Sequence, residues 1–308
     1  MGWLNSQEMI QNFDRDMEIR GMTPESRSSY ARQLRGLAGF LEKRNKNFLE
    51  VSKNDLRDYV EALKERGVST RTIGLYLATM SSFYDFLVFD ELLPANPVAA
   101  VRKRYLSSYK TDGERHTHRI VSIEDAVRLI NSLVDIRDKA LLTLLFKTGI
   151  RRRELIALDV GDINWQEQKI LLKPTKKRSN RTVFFDNETA ALLSRWLKSR
   201  EMRARDGETA LFVGTKGRLR HNGIDKIIMK AALRTGLHDP KSDIMENHFS
   251  AHCCRHWFTT YLIRAGMPRD FVKELRGDVR GDPIDIYNHI DKNELKASYL
   301  AHIPQMGI

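Results

Sequence analysis

The sequence predicts a mainly α fold with a small β-hairpin sheet (α+β), arranged as two domains. Three observations carry this. Apolar residues recur at helical spacing through most of residues 4–102. A basic, polar stretch without that periodicity follows. Helical runs then resume and are interrupted chiefly by two short β-branched and apolar segments flanking a basic turn. A chain of 308 residues is long enough for two domains of ordinary size.

The first domain is expected over residues 1–104. Residues 4–20 form an amphipathic helix pattern. Thr23-Pro24-Glu25-Ser26 reads as an N-cap with proline at the first helical position, opening a run with Tyr30, Leu34, Leu37 and Leu41 on one face. Ser52 caps a third helix with the stripe Leu56, Val60 and Leu63. Ser69-Thr70 starts a long fourth helix through Ile73, Leu77, Met80, Phe83, Phe86 and Leu87. Leu93-Pro94-Ala95-Asn96-Pro97 ends it, and a short helix is expected over 98–102. Residues 105–120 are basic and aperiodic, and read as a linker.

The second domain is expected over 121–308. Ser122 caps a helix holding Ala126, Leu129, Ile130 and Leu133. Ala140 to Phe146 is apolar nearly all round and therefore buried. Thr148-Gly149-Ile150 stops it, and Arg151 starts another helix with Ile156 and Leu158 facing inward. Residues 165–174 and 180–186 read as a hairpin with a basic tip. Helices follow at 187–201 and 221–236, with a short strand at Leu211-Phe212-Val213 between them. From Ser250 a helix carries Trp257, Phe258, Tyr261 and Leu262 on its apolar side. Lys292 to Leu300 reads as an amphipathic tail helix.

The chain is 41% hydrophobic and 30% charged, which suits a soluble globular protein with a core. No window is expected to reach the apolar run of a membrane span, and no basic region with an apolar core opens the chain as a secretory signal would. The net charge of +12 points to a polyanionic partner. Residues 1–110 hold 17 Lys and Arg against 14 Asp and Glu, so most of the excess falls on the second part. The two cysteines, Cys253 and Cys254, are adjacent and poorly placed to bridge each other, which fits a reducing, cytoplasmic setting.

Candidate chemistry gathers in the second domain. His252 and Arg255, at i and i+3, share one helix face. Tyr287 stands further on in Ile286-Tyr287-Asn288-His289. A fixed positive charge, a titratable ring and a tyrosine are the parts needed to attack a phosphodiester with a phenol. His252 and His256 at i, i+4 beside two cysteines also suggest a metal site. The zincin pattern requires a glutamate where Cys253 stands, so no metal and no cofactor are expected.

Five motifs occur in order: Thr148-Gly149-Ile150-Arg151-Arg152-Arg153-Glu154-Leu155, Lys176-Lys177-Arg178-Ser179-Asn180-Arg181, His252-Cys253-Cys254-Arg255-His256, Leu275-Arg276-Gly277-Asp278 and Asp285-Ile286-Tyr287-Asn288-His289. As an ordered set they resemble the tyrosine recombinase (phage integrase) family, and within it archaeal integrases and Xer-type recombinases. The resemblance covers about residues 20–303. It implies an N-terminal helical core-binding (SAM-like) domain and a C-terminal tyrosine-recombinase catalytic domain with a tail helix.

What the resemblance implies for the site follows residue by residue. Arg151 and Arg255 would clamp the phosphate, and Glu154 would orient Arg151. His252 would exchange a proton with the phenol or the phosphate. Lys176, with Lys177 as the alternative, would protonate the leaving 5′ oxygen. Tyr287 would be the nucleophile. Asp278 stands where the family usually has histidine or tryptophan, and a carboxylate there would repel phosphate unless protonated or turned away. Arg276, Arg280 or His289 would supply the missing donor. Arg152, Lys177 and Arg181 are DNA-binding candidates. The implied activity is site-specific cutting and rejoining of double-stranded DNA through a 3′-phosphotyrosyl link, with self-assembly on DNA as a tetramer. The tail helix would dock on a neighbouring protomer, or else pack on its own domain. Two other readings are a type IB topoisomerase-like enzyme and a catalytically silent DNA-binding relative, the latter favoured only by Asp278.

Overall fold

The computed structural model describes residues 5–105, 120–174, 180–242, 244–278 and 290–308. The chain divides into two compact units, Met1–Gly113 and Glu114–Ile308.

The described part of the first unit is helical. Helix α1 (Ser6–Ile19) is closed by a capping box between Asn5 and Glu8. Thr23 caps α2 (Pro24–Glu42), with Pro24 at its first position. Ser52 and Asp55 cap α3 (Lys53–Glu65) reciprocally, and Ser69 caps α4 (Thr70–Phe89). The apolar stripes meet in an aromatic centre. The Phe83 ring lies edge-on to Phe48 at 4.8 Å and to Phe13 at 5.4 Å, and the buried Tyr84 hydroxyl donates to the Phe48 carbonyl at 3.0 Å. By length and composition α4 is apolar enough to cross a membrane, contrary to the expectation that no stretch comes near this. Ile73, Leu77, Met80, Phe83 and Leu87 nonetheless all face the core of this unit.

Helix α5 (Val98–Tyr105) runs three residues beyond the expected end at 102 and takes up the first residue of the expected linker. Val98 and Val101 anchor it by burial. Arg102, Lys103 and Arg104 fill its last turn, where cations suit the helix dipole.

The second unit is built around α7 (Ile136–Thr148), whose residues from Ala140 onward are all buried. It packs against α9 (Asn187–Glu201) and α11 (Ala251–Arg264). Helix α6 (Ile123–Asn131) starts at Ser122 as expected. Helix α8 (Arg152–Ala157) follows α7 directly, with Leu158 buried just past its end and Ile156 half-buried.

The expected hairpin is a three-stranded antiparallel sheet in the order β1 (Ile163–Asn164), β2 (Lys169–Leu171), β3 (Thr182–Phe184). Residues 165–168 form a turn rather than the start of a strand, with Gln168 at φ +46°. The pairing of Ile170 with Val183, both buried, sets the register. A second small ladder joins β4 (Val213–Gly214) to β5 (Gly217–Arg218). The strand expected at 211–213 therefore lies two residues later. Leu211 instead donates its N–H to Leu158 O at 2.8 Å, beside the Asp159–Ala210 bridge.

Helix α10 (His221–Arg234) precedes α11, and α12 (Arg269–Arg276) follows it. The tail helix α13 (Lys292–His302) packs on its own unit, the second of the two placements weighed above. Leu295, Tyr299, Ile303 and Met306 join that core, and the Tyr299 hydroxyl donates to Lys147 O at 2.9 Å.

Candidate active site

The site begins at the end of α7. Gly149 sits at φ +59°, a left-handed conformation that ends the helix and turns the chain. Any Cβ there would lie 2.4 Å from Phe258 Cδ1 of α11, so glycine is needed for space as well as for angle. The turn places Arg151 at the N-cap of α8. Its N–H donates to Glu154 Oε2 at 2.7 Å and its Nη1 to Glu154 Oε1 at 3.1 Å. Glu154 is buried, and its two oxygens grip one arginine at backbone and side chain.

Arg255 comes from the middle of α11 and is 6% exposed. Its Nη1 donates to Gly149 O at 2.7 Å and its Nη2 to Arg276 O at 2.9 Å. One arginine is thus fixed by the backbone of the turn that presents the other, and by the end of α12. Buried guanidinium needs such acceptors, because an unpaired buried charge is costly.

Helix α12 ends on Gly277, at φ +61°, and this reversal delivers Asp278. Asp278 Oδ1 lies 3.1 Å from Arg255 Nη2 and 3.6 Å from Arg151 Nη2, and its Oδ2 lies 3.1 Å from Arg276 Nε. The carboxylate is not turned away. It joins the two arginines assigned to the phosphate, and Arg276 joins it from the other side.

His252, exposed on the first turn of α11, stands beside this pair, with its ring edge-on to His256 at 4.4 Å. Ile150, Arg151, Arg152, Ser250, His252 and Arg255 line a cleft of about 260 Å³. Arg152 reaches Asp225 of α10 in an ion pair. Arg181 lies at the edge of the sheet, where its Nε donates to Leu172 O at 2.8 Å. Next to it, Asn180 Nδ2 donates to Glu274 O at 3.1 Å, which ties the returning strand of the hairpin to α12. Lys176, Lys177, Arg280, Tyr287 and His289 lie outside the described residues.

Cys254 is fully buried, and burial pushes its thiol well up. Cys253 is half-exposed at the third position of α11, and its Sγ accepts the Ser250 N–H at 3.4 Å. No group of three or more His, Cys, Asp or Glu side chains is arranged to hold a metal ion among the described residues.

Two members of the site were not singled out from the sequence. Gly149 supplies both the turn and an acceptor for Arg255, and its advance signals are a glycine directly after an apolar helix and its place in the first motif. The Arg276 carbonyl gives no signal in sequence, since any residue type carries one.

Comparison with known proteins places this architecture. Residues 118–294, more than half of the chain, match the phage integrase family, and residues 10–90 match the N-terminal SAM-like domain of phage integrases. This chain belongs to the phage integrase family, the tyrosine recombinases.

Among relatives of this recombinase, tyrosine recombinase XerC of Chromohalobacter salexigens is 28% identical over 284 residues, covering 90% of this chain and 89% of its own. Tyrosine recombinase XerD of Oceanobacillus iheyensis is 28% identical over 311 residues, covering 96% and 98%. The fold is shared with the Tn1549 transposon integrase solved with circular intermediate DNA, at TM-score 0.67 and 19% identity over 94% of this chain and 98% of that one. It is also shared with XerH recombinase bound to difH substrate, at TM-score 0.66 and 19% identity over 96% and 84%.

Proposed function

We infer that this recombinase cuts and rejoins double-stranded DNA at a specific site through a covalent 3′-phosphotyrosyl link to Tyr287. The reading rests above all on the convergence of Arg151 and Arg255, far apart in the chain, on one anionic oxygen. Two guanidiniums so placed suit a phosphodiester, and suit still better the extra negative charge of its pentacoordinate transition state.

In this reaction the Tyr287 phenol oxygen attacks phosphorus and the bond to the 5′ oxygen breaks. Lys176, which lies between β2 and β3 in the sequence, gives the leaving oxygen its proton, and His252 at the rim of the cleft takes up the phenol proton. One phosphodiester is exchanged for another, so the bond energy is retained for rejoining. Glu154 and the Gly149 and Arg276 carbonyls hold the arginines for this task as positioning groups. Backbone contacts from the basic excess supply salt-dependent affinity, with Arg152, Lys177 and Arg181 as contributors. The first unit, as the core-binding domain, reads the site. DNA carried by relatives of the same fold supports this partner. Exchange between two duplexes requires four protomers, and the enzyme works in the cytoplasm, where Cys253 and Cys254 stay reduced.

The deciding experiment incubates wild-type enzyme and Tyr287→Phe with a nicked suicide substrate carrying the enzyme's own attachment site. A denaturing gel should show a shifted covalent band for wild type alone, with both proteins shifting DNA equally in a native gel. Wild type that binds but leaves no band would make the chain a silent DNA-binding relative.

A further inference from the structure

We propose that Asp278 is an internal anion that occupies the phosphate position between Arg151 and Arg255 until the scissile phosphodiester displaces it. The proposal rests on the strand-transfer reading and adds a role for the residue that departs from the family pattern.

The geometry assigns the role. Nη2 of Arg255 and Nη2 of Arg151 both point to Asp278 Oδ1, at 3.1 and 3.6 Å. Other contacts of the two guanidiniums run to fixed protein acceptors. Arg255 reaches Gly149 O and Arg276 O, and Arg151 reaches Glu154. A phosphate oxygen that bridged both arginines would need the donors Asp278 now takes. Two anions cannot share them without the like-charge penalty that follows from close approach in a cleft.

Asp278 is also placed so that it can leave. It is 34% exposed on its side chain and follows directly on the Gly277 reversal that ends α12, outside any regular element. Glu154, by contrast, is held within α8 with its side chain 3% exposed. The two carboxylates on Arg151 are therefore unequal: Glu154 is a permanent strut and Asp278 an exchangeable one. Without an anion between them, two guanidiniums would repel each other, and Asp278 removes that repulsion in the DNA-free enzyme. The consequence is selectivity. A small free anion has to displace Asp278 with its own charge alone, whereas a phosphodiester arrives with binding energy from the rest of the duplex.

The test measures binding of inorganic phosphate by calorimetry at fixed ionic strength, on the full chain, for wild type, Asp278→Asn and Asp278→His. Thermal melting confirms that each variant is folded. Removing the internal competitor should tighten phosphate binding about ten-fold or more, a gain of roughly 1.4 kcal/mol. The gain should disappear in the Asp278→Asn, Arg255→Lys double variant. Unchanged or weaker binding in both single variants overturns the proposal, because a purely structural Asp278 would let the arginines drift apart when removed. The suicide-substrate assay separates the two readings. A phosphate gain without a Tyr287 adduct would keep the competitor and remove the strand-transfer reading. An adduct without the gain would do the reverse.

Discussion

The Arg255 guanidinium donates through Nη1 to the carbonyl oxygen of Gly149 at 2.7 Å, so the turn that presents Arg151 also fixes Arg255. The two arginines are not independent side chains that happen to face one cleft. A disturbance of one short turn should move both, and the first prediction uses this.

Gly149→Ala should destabilise the protein by about 2 kcal/mol or more. It imposes a left-handed conformation on a residue with a Cβ and pushes that Cβ into Phe258. Urea denaturation followed by fluorescence measures the loss. Adduct formation should fall further than the remaining folded fraction explains, because the Gly149 carbonyl shifts with the turn.

Arg255→Lys keeps the charge and loses the fork. A lysine cannot reach Gly149 O, Arg276 O and Asp278 together. Adduct formation on a suicide substrate should drop about 10²- to 10³-fold, the usual cost of losing one oriented donor at a developing charge. Native-gel affinity for the same DNA should change only a few-fold, since most affinity comes from the wider phosphate backbone.

Lys147 is a buried cation with three acceptors. Its Nζ lies 2.6 Å from each of Asp186 Oδ2, Glu188 Oε2 and the Pro304 carbonyl. Lys147→Met should cost about 3–5 kcal/mol, because it strands a buried carboxylate. The last residues should exchange amide hydrogens faster in that variant. Glu188 accepts the N–H groups of Met306 and Gly307 and loses its own anchor with the lysine.

Asp55 gives a pH prediction for the first unit. Burial alone would raise its carboxyl, but hydrogen bonds from Lys46 and Ser52 outweigh this and hold it at about 2. The folded value lies below the unfolded one, so the stabilisation is complete above the ordinary carboxylate value and is lost as pH falls towards 2. Denaturation midpoints measured from pH 5 to pH 2 should fall across this window. Asp55→Asn should be less stable at pH 5 and show a flatter decline.

Helix positions were readable from the sequence wherever a cap met a stripe. Thr23, Ser52, Ser69 and Ser122 each start a helix where expected, because a hydroxyl beside an apolar run meets a local need of the backbone. The family was legible too, since its motifs keep order and spacing along the chain. Strand limits were less so. Residues 165–168 were expected to open a strand, yet they turn, because Ile163–Asn164 pairs with β2 and closes the sheet from the other side. Only the tertiary structure decided what Asp278 does. Sequence placed a negative charge where a donor was expected and suggested repulsion. Folding brings Arg151, Arg255 and Arg276 around that charge, and an anion among three cations is held rather than expelled. Local propensities and spacing are properties of neighbouring residues and can be read in order. The sign of an electrostatic interaction between distant residues depends on which of them meet, and folding settles that.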